Sequence, residues 1–187
     1  IDEITESLNK NGVVIIKNLF KESYINDLNL KLDKMKPKAV QSYFNVPWGY
    51  GNLVEDDLFK KIVQNNIVKN YIRNYLEEHD YMINHLVVNE KSPLVGFDVE
   101  WHQEVFNINT FAPGCNGKDH YKKFLQLFIA LDNQVADSGG LGIYLKSHLL
   151  GLLDYVDIIS PSLTHKRHVS YKDMKKLSNK CKLVYPQ

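Results

Sequence analysis

Apolar residues return at helical spacing from the first residue onward. Ile1, Ile4 and Leu8 form one stripe through residues 1–10, and Asn11-Gly12 supplies a stop and a turn. The pattern then changes, because Gly12-Val13-Val14-Ile15-Ile16-Lys17 is β-branched and nearly continuous, which predicts a strand buried on both faces. Across residues 21–35, Ile25, Leu28, Leu32 and Met35 recur at steps of three and four between Lys, Asp and Asn, predicting an amphipathic helix that ends before Pro37. Residues 41–53 carry Tyr43, Phe44, Pro47, Trp48, Tyr50 and Gly51, a mixture that argues against regular structure. This stretch suits a lid or a substrate-facing loop, and equally a loop whose aromatics pack on the core. A third helix is predicted over residues 56–78, with Leu58, Ile62, Ile67, Tyr71, Tyr75 and Leu76 on the face that covers a sheet.

After His79-Asp80 the texture becomes that of strands. Residues 81–90, 96–105, 124–132 and 141–146 are set off by Ser92-Pro93, Ala112-Pro113-Gly114 and Ser138-Gly139-Gly140. Residues 152–187 are more irregular, with a short helix predicted around 171–177 and a last strand at 182–185. Helices first and antiparallel strands afterwards predict an α+β domain built on a sandwich or barrel.

Composition narrows this picture without redirecting it. A chain of 187 residues has length for one well-buried core, so residues 1–187 are expected to form a single domain. With 44% hydrophobic and 24% charged residues it has the make-up of an ordinary soluble globular protein. Lys+Arg 23 against Asp+Glu 22 leaves a net charge of +1, so no overall field draws the chain to nucleic acid or to an anionic membrane. The two cysteines, Cys115 and Cys181, suggest neither a disulfide framework nor a thiolate metal site, and a cytoplasmic location fits them best. The longest apolar runs, 13–16 and 125–131, fall well short of the roughly 20 residues that span a bilayer. Oligomeric state is not legible in the sequence.

Candidate chemistry concentrates in Asp98-Val99-Glu100-Trp101-His102-Gln103-Glu104. On a strand, residues i and i+2 share a face, which sets His102 and Glu104 side by side with Cα atoms about 6.5 Å apart. An imidazole and a carboxylate so placed can share one metal ion. With a second histidine from elsewhere they would make a two-histidine, one-carboxylate facial triad with coordination positions left open.

The surroundings of this pair resemble a known family. Trp101-His102-Gln103-Glu104 is similar to the Trp-His-Gln-Asp/Glu signature of the phytanoyl-CoA dioxygenase family. The stretch from Phe124-Leu125-Gln126-Leu127-Phe128 to Asp132-Asn133 resembles that family's next core strand. Ser138-Gly139-Gly140-Leu141, continuing to Lys146-Ser147-His148, resembles its Gly-rich turn and following strand, and Asn11-Gly12-Val13-Val14-Ile15-Ile16-Lys17 its opening. The four blocks occur in the family's order. The resemblance implies a double-stranded β-helix, or jelly-roll, core with N-terminal helices packed outside it. It also implies Fe(II) as cofactor and 2-oxoglutarate as co-substrate, in an enzyme that decarboxylates the oxo-acid to succinate and CO2 while hydroxylating a small-molecule substrate.

Carried over residue by residue, the resemblance makes His102 and Glu104 metal ligands. Asn89, Gln126 and Phe128 fall where the family surrounds the oxo-acid, although ordinary packing or solvent exposure accounts for such residues as well. Lys91 could add positive charge there or simply be solvated. The family's distal histidine and the arginine that follows it have no counterpart in residues 105–187. His120, His148, His165 and His168 come too early, with His148 suited to a hydrogen-bonded structural role, and neither Arg73 nor Arg167 matches the arginine. A first residue Ile1 and the missing late segment suggest a chain trimmed from a longer protein. Taken at face value, the same gap suggests a non-catalytic jelly-roll binding module that lost its metal site. A metal-using cupin of another class is a third reading.

Overall fold

The computed structural model describes residues 3–35, 41–43, 46–77, 81, 83, 86–90, 99–104, 125–157 and 167–186. In chain order the elements are α1 (Glu3–Asn11), α2 (Glu22–Met35), β1 (Gln41–Tyr43), β2 (Val46–Tyr50), α3 (Lys60–Gln64), α4 (Asn66–Leu76), β3 (Val88–Asn89), β4 (Ile143–Tyr144), β5 (Tyr155–Asp157), β6 (Arg167–Val169), α5 (Tyr171–Lys180) and β7 (Leu183–Val184). They fall into two compact units. One comprises Ile1–Val14, Phe97–Phe128 and Gln134–Gln187; the other comprises Ile15–Gly96 and Ile129–Asn133.

In the Ile15–Gly96 unit, the predicted stripe of α2 is the one that is buried. Leu28 and Leu32 join Tyr50, Leu53, Phe59 and Ile62 in a core, with Ile25 and Met35 packed against it. Ile129 and Leu131 reach this core from much later in the chain, and Asn29 Nδ2 donates to the Leu131 carbonyl at 2.8 Å. The aromatic stretch expected to be irregular instead forms β1 and β2 of an antiparallel sheet ordered β1-β2-β3. Its aromatics favour a pleated backbone. The register steps from Ser42↔Pro47 to Gln41↔Gly49, so Trp48 is an extra residue that bulges β2 beside Pro47. Pro47 lies in the part of β2 that pairs with β1 only, since β3 pairs with Gly49 and Tyr50.

The third predicted helix is broken. Asn65 takes an extended conformation (φ −61°, ψ 122°), and its side-chain oxygen accepts from Ile67 N and Val68 N at 2.9 and 3.2 Å. It thereby caps α4 and separates it from α3. The break resets the helical face, leaving Ile67 half-exposed and burying Val68.

The other unit begins with α1, which stops where Gly12 turns left-handed (φ 77°) and donates its N–H to Leu8 O at 2.8 Å. The predicted strand at residues 12–17 is not paired, and Ile15 is 51% exposed. A β-branched run prefers extended backbone, but a strand requires a neighbour. Here Val13 O accepts from Ser7 Oγ at 3.1 Å instead. Two antiparallel pairs follow, β4 with β7 and β5 with β6. Leu153, Val169 and Leu177 form a second core, with Tyr144, Leu150, Met174 and Cys181 around it. Ser170 Oγ caps α5 by accepting from Asp173 N at 3.3 Å, and the buried Asp173 carboxylate accepts from Asp154 N at 2.8 Å.

The protein is thus a mixed helix and strand structure with small antiparallel sheets, and no barrel is closed among the described residues. Among the described residues, three of the longer predicted strands leave little or no pairing: of 81–90 only β3 pairs, of 141–146 only β4, and residues 125–130 are unpaired. Among the described residues, no helix is long and apolar enough to cross a membrane.

Candidate functional site

The segment Trp101-His102-Gln103-Glu104 is not a strand, yet its side chains alternate in function. Trp101 and Gln103 fasten the segment; His102 and Glu104 face each other. Trp101 packs its ring against Tyr144 (centroids 4.8 Å apart, planes at 58°), and its carbonyl accepts from Val169 N at 2.8 Å. The indole also fills the space over Gly142, where an added Cβ would lie 2.6 Å from Trp101 Cη2. Only a residue without a side chain fits beneath that ring.

Gln103 is held at both ends of its amide. Its Nε2 donates to Gly151 O at 3.0 Å and its Oε1 accepts from Leu153 N at 2.9 Å. Gly151 presents that carbonyl from φ 72°, ψ −155°, a conformation open to essentially no other residue. Leu153 is itself anchored in the second core. The amide therefore ties the segment to a rigid point of the same unit.

These anchors set His102 and Glu104 in contact, with His102 Nε2 3.3 Å from Glu104 Oε1. His102 Nδ1 lies 2.8 Å from Glu100 O. A carbonyl only accepts, so Nδ1 carries a proton and donates it there. In a neutral ring Nε2 then carries a lone pair, and it faces a carboxylate oxygen that also carries lone pairs. That contact is favourable only if a cation lies between the two atoms, either a second proton on the ring or a metal ion. Burial alone would lower the pKa of His102, but the hydrogen bond to Glu104, the one to Glu100 O and the charge of Glu104 together raise it above 6.5. The side chains are 17% and 32% exposed, so the pair is reachable from solvent.

The spacing suits shared ligation. Two donors at about 2.1 Å from one metal are separated by about 3.0 Å at a right angle and about 3.4 Å at the tetrahedral angle. The observed 3.3 Å lies between these values. A proton held on Nδ1 by a backbone carbonyl is also the usual way a ligating histidine is oriented. No third His, Cys, Asp or Glu completes a metal-holding group among the described residues.

His148 is where a structural role places it. Its Nε2 donates to Asn9 O at 3.0 Å, and its ring occupies the space that a Cβ on Gly12 would need. Lys146 N donates to Asn11 O at 2.8 Å, so two of the C-terminal carbonyls of α1, those of Asn9 and Asn11, are satisfied by the Lys146–His148 turn. His168 is half-buried on β6, paired with Val156. Its neighbour Arg167 bonds Asp157 through Nε at 3.1 Å and lies 4.7 Å over the Tyr155 ring.

The remaining sequence-based candidates stand apart from such anchoring. Asn89 belongs to the other unit, exposed at the end of β3 opposite Gly49. Gln126 and Phe128 are exposed on unpaired backbone, Phe128 by 54%. Lys91, His120 and His165 lie outside the described residues. Sequence reasoning did not assign roles to Trp101 and Gln103. The signal was present in the alternation itself, since a segment that presents residues i and i+2 must be held by i−1 and i+1. No protein-family model matches the chain, and no curated protein is significantly similar to it.

Proposed function

We propose that the chain is the scaffold of an Fe(II)- and 2-oxoglutarate-dependent dioxygenase acting on a small molecule, with His102 and Glu104 as adjacent metal ligands. The observation that carries this reading is the opposition of His102 Nε2 and Glu104 Oε1 at 3.3 Å, with the ring's other nitrogen already committed to Glu100 O. Two lone-pair donors clamped at ligand spacing are an arrangement whose natural partner is a cation.

The order of the four family-like blocks supports the same reading. Residues from three of them meet within one unit: Asn11-Gly12, Trp101 to Glu104, and Gly142 to His148. In this reading the pairs β4–β7 and β5–β6 are parts of a jelly-roll core. Bound iron would activate O2 alongside the oxo-acid. The chain's own task is to hold two donors in place: Gln103 and Trp101 fix the segment, and Glu100 O sets the tautomer of His102. The third ligand and the group that pairs with the oxo-acid's far carboxylate are not assigned within the described residues.

Titrating the metal-free protein with Mn(II), a redox-stable probe, should give one site per chain. The His102→Ala and Glu104→Ala variants should each weaken it by about tenfold or more. The complete gene product, given Fe(II) and 2-oxoglutarate, should form succinate, and Glu104→Ala should abolish this. Unchanged Mn(II) affinity or persistent succinate formation in Glu104→Ala would remove the ligand assignment.

A further inference from the structure

We propose that the Ile15–Gly96 unit carries a second, unrelated site that binds a small phosphate monoester, in the open pocket formed by α3, α4 and the residues around Val54 and Tyr81. The pocket holds about 340 Å³, enough for a compact ligand at the small end of the usual range of roughly 300–1,000 Å³. Among the described residues, Lys60, Lys69 and Arg73 line it, against one acid, Glu55.

That acid is already engaged, with Glu55 Oε2 3.2 Å from Lys60 Nζ. Lys69 and Arg73 have no carboxylate partner among the described residues. They stand one helical turn apart on α4, at i and i+4, so both project from the same face. Like charges at that spacing destabilise a helix unless an anion bridges them.

Two cations without a carboxylate partner among the described residues match a dianion. A guanidinium fork beside a lysine point charge is the donor set that suits a tetrahedral phosphate, whereas a monocarboxylate would leave one cation unneutralised. Val54, Val63 and Ile83 add apolar wall and Tyr81 an aromatic ring, so the ester's organic part has a surface to lie on. Gln64, also in the lining, offers a further amide donor.

The probe is phenyl phosphate, titrated calorimetrically into the metal-free 187-residue protein at low ionic strength. Omitting metal makes the result independent of His102 and Glu104. Saturable one-to-one binding is expected, weakened about tenfold or more by Lys69→Gln and by Arg73→Gln, and unchanged by Lys175→Gln on α5. Arg73→Lys, which keeps the charge and loses the fork, should give an intermediate loss and guards against a misfolded Arg73→Gln. Circular dichroism reports folding of each variant. Absence of saturable binding, wild-type affinity in the folded Lys69→Gln/Arg73→Gln variant, or equal affinity for neutral phenol would overturn the site. Equal or tighter binding of succinate would overturn phosphate as its ligand class.

Discussion

Gln103 shows how much a single side chain contributes to the candidate site. Its amide satisfies one backbone acceptor and one backbone donor, Gly151 O and Leu153 N, and Leu153 is a core residue. Gln103→Ala would leave both without their partner, at a cost of about 1–3 kcal/mol for each buried group that water does not reach. Urea denaturation should show the loss of stability. If the pair holds a metal as proposed, metal affinity should fall as well, because the Gln103 amide is one of the anchors that set His102 and Glu104 against each other. His102 carries a second prediction. Its folded-state pKa is raised, so the imidazolium–Glu104 pair stabilises the fold fully at pH below 6.5 and this contribution is lost as pH rises through the raised value. In metal-free protein, an NMR titration of His102 should give a midpoint above 6.5, and Glu104→Gln should lower it. A midpoint unmoved by Glu104→Gln would show that the pair is not coupled. Added divalent metal should compete with the proton, so metal affinity should weaken as pH falls.

At the scale of elements, Asn65 decides the shape of the helical region. One side-chain oxygen accepting from Ile67 N and Val68 N converts an apparently continuous amphipathic run into two helices. Asn65→Ala should destabilise the protein by about 0.5–2 kcal/mol, measurable as a lower thermal midpoint, and Asn65→Ser should restore most of it. Equal stability of the Ala and Ser variants would mean that the cap is not what orders α4. The same break explains a residue-level miss: Ile67 was expected on the buried face, and the reset of phase after Asn65 turns Val68 inward instead. The hairpin β1–β2 was hidden for a related reason. Gly and Pro usually mark irregular backbone, but a bulge at Trp48 lets β2 keep Pro47 within its pairing with β1.

At the scale of the whole chain, a sequence-distant segment completes the core of the Ile15–Gly96 unit. Leu131 belongs to the core of α2 and β2, although it follows them by about eighty residues or more, and Asn29 bonds its carbonyl. Leu131→Ala, at a half-buried position, should cost about 1–3 kcal/mol and should increase hydrogen exchange at the amides of Leu28 and Leu32. If protection is lost around Leu177 alone, this assignment of Leu131 is wrong. The sequence by itself determined the existence of α1, α2 and α5, the buried stripe of α2 and the pairing of helices with antiparallel strands, because helical period and terminal signals such as Gly12 act over one or two turns. It also marked His102 and Glu104, through their spacing and their neighbours. It did not determine how they are held. The described part of the expected strand, residues 99–104, is not extended into a sheet, and the two side chains meet because Trp101 is seated over Gly142 against Tyr144 and Gln103 is tied to Gly151 and Leu153. Those contacts join residues about forty to fifty positions apart. Local periodicity carries no record of such distances, so only the tertiary structure could decide them.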